Sequence, residues 1–390
     1  MNRSLRVGFV TLYRVLIGSL LILLLGGCSK FNVQKPILDG AFFTEGDSAL
    51  NPPTDKLSEN CFADVTVDAC MFLKNPVAQE KGAVALRDLE AVRKFGVKIR
   101  GLTPTGFLEN ARVQVFALHA PRFTLENLSE LKGPQAGGHR SLEQFSAYYW
   151  TNRLFDYLEA RIGSERLPSF RLKVYVDDVF TGYSSANQSV HLDFKEGRLP
   201  KALSGEVVIH LAAQAIAHGL SEGKLFAKDL TQHNTCALDP KGCCTTGDGC
   251  AQALGNGFGE YVAAMMFPDS ARIGESVANS VKGQELCSMV RDLTMLSART
   301  KDQVYSACQP AGRAVVMGAW YASVWWKLRA QIEAQEPGAG ADVDKLFFDH
   351  AKAWTSLSTF TSAKAEALRL AGMYNGGKFA AAFAAAFAVF

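Results

Sequence analysis

Apolar and polar positions change period several times along the chain, and each change predicts an element. From Val97 to Phe123, VKIRGL and VQVFAL alternate around the turn-rich TPTGFLEN, a period of two that predicts a hairpin-like β unit spanning about residues 95–125. In SLEQFSAYYWTNRLFDYLEARIG the spacing changes to three and four, with Phe145, Tyr148, Tyr149, Asn152, Leu154, Phe155 and Leu158 on one stripe, which predicts a helix. Arg161-Ile162-Gly163 supplies a basic last turn and a stop. FRLKVYVDD alternates again, placing Phe170, Leu172, Val174 and Val176 on one face. A Gly/Ser/Asn loop at 182–189 leads into VHLDF, with Val190, Leu192 and Phe194 on one side and His191 and Asp193 on the other.

VVIHLAAQAIAHGL, Val207 to Leu220, has no Gly or Pro before Gly219 and is apolar nearly all round, which predicts a buried helix. The remainder reads as helical at 251–267, 281–298, 312–334, 343–351, 362–371 and 378–390. In the last of these, Phe379, Phe383 and Phe387 recur every four residues among alanines. Only Lys378 offers the basic flank that a membrane-lying helix needs, so the stripe predicts a helix docked on the core. The fold class expected is α+β, with a small sheet and a mainly helical carboxyl-terminal bundle.

The first residues change the picture of where the chain resides. Arg3, Arg6 and Arg14 precede an apolar run from Val15 to Leu25, which ends in Leu25-Gly26-Gly27-Cys28. The run is short for a bilayer crossing and no basic stop-transfer flank follows, so a targeting segment is expected over residues 1–27. It resembles the bacterial lipoprotein signal family, which implies cleavage before Cys28 and acylation of that residue. Ser29, where the family's inner-membrane members carry Asp, implies export to the outer membrane. More than one acyl chain would anchor the protein without spanning the bilayer. Residues 28–78, rich in Pro, Asn, Asp and Gly, read as a tether, and 79–390 as the folded domain.

The formal charge of +3 is carried by the three leader arginines, so the remainder is neutral and nucleic acid is not an expected partner. Eight cysteines follow Cys28, an even number that fits an oxidising compartment. Proximity pairs Cys61 with Cys70 and Cys287 with Cys308. It leaves Cys236, Cys243, Cys244 and Cys250 to form two bridges of open connectivity. A metal cluster in CALDPKGCCTTGDGC competes, but adjacent Cys243 and Cys244 lack CxxC chelate geometry.

Helical HExxH works because residues four apart share a face: two imidazoles meet one zinc while the Glu accepts a proton from the metal-bound water. The order of a β unit, the AYYWTNRLFDYL helix, the VYVDD and VHLDF strands, the VVIH helix and ALGNGFGEYVAAMMF resembles the thermolysin-like gluzincin metallopeptidases, closest to the fungalysin branch, from about Phe95 to the end. That resemblance implies zinc ligands at His210, Gln214 and Asn256, a general base at Leu211 and a carboxylate orienting His210 at Glu260. It also implies an oxyanion-stabilising His near Arg313 or Ala314, before the GAWYASVWWKL helix, where this chain has none.

Only His210 of the ligands is retained, and Glu260 is a conservative occupant. Leucine accepts no proton, and neutral amide oxygens are weak ligands for zinc. Catalytic residues and a metal are therefore not expected. His191, His218 and His233 form no better set, since His210 and His218 project about 80° apart on a helix, and they read as surface or strand histidines. No GxSxG or GxxxxGK occurs, and the glycines of GNGFG read as allowing close helix approach.

The function expected is that of a lipid-anchored pseudopeptidase that binds an extended peptide or envelope protein along the VYVDD–VHLDF edge, by strand addition. One alternative is an active metal-dependent hydrolase with an atypical site, for which zinc would be the cofactor. Others are a structural envelope lipoprotein stapled by disulfides, and a simple buried helix around His210 unrelated to peptidases.

Overall fold

In the computed structural model the residues described are 69–72, 74–89, 91–92, 94–99, 102, 106–124, 139–194, 198–226, 250–267, 271–279, 290–307 and 310–389. All of them belong to the unit Asp47–Phe390. The leader and Cys28 lie outside them, as do Cys61, Cys236, Cys243, Cys244, Cys287, Cys308 and His233. Cys70 and Cys250 each take part in a disulfide. Every pairing expected from the sequence includes a cysteine outside the described residues.

The stretch expected as a tether contributes two packed elements. Strand β1 (Ala69–Met71) is fully buried. Helix α1 (Pro76–Glu80) starts at Asn75, whose side chain accepts from the Ala78 N–H, with proline in the first turn where no N–H is needed. β2 (Phe95–Val97) pairs antiparallel with β1. The expected hairpin across 95–125 is therefore corrected: β3 (Val113–Ala117) belongs to a different sheet. Alternation fixes which face of a strand is buried and leaves its neighbour open. Helix α2 (His139–Ile162) supplies the crossover that brings β4 (Leu172–Asp178) parallel to β3.

β5 (Gly182–Ser184) and β6 (Ser189–Asp193) complete this sheet in the order β3-β4-β6-β5, with β6 parallel to β4 and β5 antiparallel to β6. The expected edge is thus also corrected. β4 and β6 are interior strands and the edges are β3 and the three-residue β5, because the loop after β4 folds back as the outer arm of a hairpin. Asn187 pins that hairpin, its Oδ1 accepting from the Ser184 and Ser189 hydroxyls. Asp177, at a register shift in β4, holds a left-handed φ of 59° and is paired with Arg140.

Helix α3 (Gly205–Leu220) is buried along almost its whole length. It packs between the sheet and α4 (Ala251–Met266), in agreement with its all-round apolar sequence. Strand β7 (Arg272–Ile273) is followed by the one-turn helix α5 (Glu275–Ala278); of the helix expected over 281–298, the described residues 290–298 instead hold β8 (Arg291–Asp292), antiparallel to β7, and only one helical turn, α6 (Leu293–Leu296). Asp292 caps α6, accepting from the Thr294 and Met295 N–H groups, and so ends the strand and starts the turn.

The bundle follows: α7 (Lys301–Ala307), α8 (Pro310–Gln335), α9 (Gly340–Ala351), α10 (Phe360–Met373) and α11 (Ala380–Ala386). Phe379, Phe383 and Phe387 are buried, with Phe383 and Phe387 edge-on to Trp325 of α8. Among the described residues no helix is long and apolar enough to cross a membrane. Buried charge is networked. Asp344 of α9 accepts from Tyr261 at 2.6 Å, Arg161 at 2.7 Å and Arg329 at 3.0 Å, joining α2, α4, α8 and α9. Glu206 at the start of α3 meets Lys74, Asn75 and the Gly274 N–H.

Candidate functional site

α3 and α4 approach closely because α4 carries glycines on the contact face. A Cβ on Gly259 would lie 2.5 Å from the His210 carbonyl oxygen and 2.8 Å from its Nδ1, and one on Gly257 would lie 2.7 Å from the Gly318 carbonyl oxygen of α8. This close approach brings two one-turn pairs together, His210 with Gln214 and Asn256 with Glu260. Residues four apart share a helix face, so each pair is set by its own sequence and their meeting by the packing.

One amino group organises the cluster. Gln214 Nε2 donates to His210 Nε2 at 2.9 Å and to Asn256 Oδ1, also at 2.9 Å. Asn256 Nδ2 donates in turn to the Gln252 carbonyl. Because His210 Nε2 accepts, its proton sits on Nδ1, which faces Glu260 Oε1 at 3.4 Å without a hydrogen bond of good geometry. Burial pushes the His210 pKa below the ordinary histidine range, opposed by the Glu260 carboxylate, so the ring is neutral at pH 7.

Arg291 of β8 takes the carboxylate from the histidine. Its Nε and terminal amino group lie 2.7 Å and 2.6 Å from Glu260 Oε1. The sequence reading missed this residue, since it falls in a segment expected to be helical. Glu260 thus stands beside His210 as expected, at 3.4 Å, but its hydrogen bond goes to Arg291. Leu211 is buried beside His210 on α3 and supplies no acceptor. Arg313 stacks over Tyr305 at 4.1 Å.

The donor set does not fit zinc. The two acceptor atoms that would face a cation, His210 Nε2 and Asn256 Oδ1, both face one N–H group. The set holds one imidazole and two neutral amides, and the nearby anion is neutralised by Arg291. A dication there would be desolvated without an anionic ligand. Nor does the cluster hold a general base: the His210 Nε2 lone pair is engaged and Glu260 is bound by a guanidinium. What the cluster offers chemically is neutral hydrogen bonding inside a buried contact.

Of the two residues expected as surface or strand histidines, His191 lies on strand β6 and is buried, and His218 is buried on α3. His191 Nδ1 lies 2.6 Å from Asp178 Oδ2 and its Nε2 lies 2.7 Å from Ser189 Oγ. The residue types follow the order of a hydrolase triad, but Ser189 is 0% exposed and its hydroxyl also meets Asn187. Tyr175 and Phe180 stack on the imidazole at 5.0 Å and 4.4 Å. No acyl group reaches that oxygen, and the relay fixes the β5–β6 hairpin to β4. The i, i+2 spacing of Ser189 and His191 signals a shared strand face, whereas Asp178 becomes their neighbour only through the parallel pairing.

Comparison of the chain with known protein families and with characterised proteins returns no match.

Proposed function

We propose that the chain is a lipid-anchored, gluzincin-like domain without peptidase activity that binds an extended peptide segment of another envelope or secreted protein. The anchor is Cys28 and the membrane the bacterial outer membrane. The segment adds to the outer edge of β5, whose partner on the inner side is β6 and which ends the sheet among the described residues. Strand addition draws its affinity from main-chain hydrogen bonds and needs no metal.

The observation that carries the reading is the Gln214 amino group between His210 Nε2 and Asn256 Oδ1. An N–H group satisfies the two acceptors that a catalytic cation would need, so the helix pair holds together without a metal. Metal analysis and zinc calorimetry of the full chain in detergent, purified without chelators, test it. The expected result is no saturable binding at micromolar zinc. The triple variant Leu211→Glu/Gln214→His/Asn256→Glu is expected to bind one zinc. Tight stoichiometric zinc on the native chain would overturn the reading, and a folded triple variant that binds none would remove the gluzincin register.

A further inference from the structure

The sheet β3-β4-β6-β5 has two unlike faces. Val115, Val174 and Val190 are buried in the hydrophobic core. On the other face the paired residues one step along carry rings. Phe116 of β3 stacks on Tyr175 of β4 at 5.0 Å, Tyr175 on His191 of β6 at 5.0 Å, and His191 on Phe180 at 4.4 Å. Phe180 lies over Gly182 of β5, the residue opposite His191, where a Cβ would stand 3.9 Å from the ring. One row of four rings therefore crosses all four strands, because paired residues of adjacent strands point the same way.

The row borders an exposed apolar patch. Phe116 and Tyr175 are half-buried, and Phe180 is 40% exposed. At the carboxyl ends of β3 and β4, Leu118 is 47% and Val179 74% exposed. The Leu118 N–H donates to the Val176 carbonyl, which lays the end of β3 alongside the residues that lead to Val179. Leu118, Val179 and Phe180 thus share one end of the sheet. Strands β3, β4 and β6 are parallel, and a parallel sheet is ordinarily covered on both faces, so apolar side chains left open on this one point to an external cover.

The exposed charge around the row is basic. Lys173, two residues before Tyr175 on the same face of β4, is exposed, as is Arg171 two residues before that. The Arg122 guanidinium lies over the rings of Phe116 at 4.8 Å and Phe107 at 4.1 Å. The carboxylates are withdrawn. Glu109 lies 3.1 Å from Arg122 and 3.3 Å from Arg171 with its side chain 10% exposed, and Asp178 is buried against His191. A second copy of the chain would set these cations against one another, whereas an anionic bilayer suits both the cations and the apolar side chains.

We propose that this outer face of the sheet docks on an anionic phospholipid bilayer. Leu118, Val179 and Phe180 enter the interface, and Arg122, Arg171 and Lys173 meet the lipid phosphates. Apolar and aromatic side chains with a basic rim seat at the headgroup level, where each cation is worth roughly fivefold in partitioning. The proposal uses neither the β5 edge nor the amide cluster. It goes beyond the anchor on Cys28, which would bring the face to the membrane without orienting it.

The test reconstitutes the full chain from detergent into vesicles of acyl-brominated phosphatidylcholine, with and without phosphatidylglycerol. Bromine quenches a tryptophan that enters the bilayer. Relative to the native chain, the added emission of Val179→Trp is expected to be lost in the phosphatidylglycerol vesicles. That of Leu357→Trp, at a position 77% exposed in the loop before α10, is expected to persist. Leu118→Trp reports the same face where Val179→Trp does not fold. Adding Arg171→Glu/Lys173→Glu is expected to lower the ratio of docked to undocked chain about twentyfold.

Flotation of the vesicles separates this face from the anchor. A chain that floats with both vesicle types and shows no quenching at position 179 is anchored but stands off, which refutes the docking face alone. Flotation with anionic vesicles only, reversed by salt and accompanied by quenching at 179, keeps the face and removes the anchor. Absence of flotation, equal quenching at 179 and 357, or quenching unchanged by the two charge reversals overturns the proposal. So does a dimer in detergent that Leu118→Ser/Val179→Ser dissociates, since a second copy would then cover the face.

Discussion

Glu143, in the second turn of α2, is fully buried, and neither of its carboxylate oxygens has a hydrogen-bond partner. Burial raises its pKa from 4.5 to about 8, and Arg140 one turn earlier only partly offsets this. A carboxyl whose folded value is raised contributes full stability below its unfolded value and loses it as pH rises. Below pH 4.5 both states are protonated. Between 4.5 and about 8 the unfolded chain ionises while the folded one stays neutral, and stability falls by about 1.4 kcal/mol per pH unit. By pH 7 the loss is about 3 kcal/mol, a large part of an ordinary domain's stability.

Glu143→Gln removes the titration and keeps the shape. Its stability relative to the native chain is expected to climb by about 3 kcal/mol from pH 4 to pH 7 and to level off above pH 8. Urea unfolding followed by tryptophan fluorescence at pH 4, 6, 7 and 8 measures that difference. Other titrating groups are common to both proteins and cancel, and any fixed cost of the buried amide displaces the curve without tilting it. Parallel curves for the two proteins across this range would refute the reasoning, because they would mean that the carboxylate finds a donor or water on ionising.

Two further outcomes follow from the buried networks of the bundle. His350 Nε2 accepts from Tyr321 and Trp354, and burial lowers its pKa to about 3, so it is neutral in the fold. Its stability contribution is complete above pH 6.5 and is lost as pH falls from there toward 3. His350→Gln is expected to flatten the acid limb of a stability–pH profile by up to one proton, about 1.4 kcal/mol per pH unit. Asp344→Asn leaves Arg161 and Arg329 without their buried anion and is expected to cost about 3–5 kcal/mol, read as a lower urea midpoint with an unchanged slope.

The sequence by itself determined what is local. Helical period and stop signals set α2, α3, α4 and α8 to within a few residues of their observed ends. The four-residue spacings of His210 with Gln214 and of Asn256 with Glu260 put each pair on one helix face. The aromatic stripe of the tail marked Phe379, Phe383 and Phe387 for burial. In each case the relevant geometry is that of one helix, fixed by 3.6 residues per turn.

Only the tertiary structure decided which surfaces meet. It turned the expected hairpin into strands of two sheets and put Val113–Ala117 and Gly182–Ser184, not VYVDD–VHLDF, at the sheet edges. It brought Arg291 onto Glu260 from 31 residues away and seated Phe226 on Gly255. Alternation says which side of a strand is apolar but not what lies beside it, and a short β-ribbon such as β7–β8 has too few residues to show a period. Those contacts arise from long-range packing, in which a bare glycine backbone or a buried carboxylate selects its partner by shape and charge across elements remote in the chain.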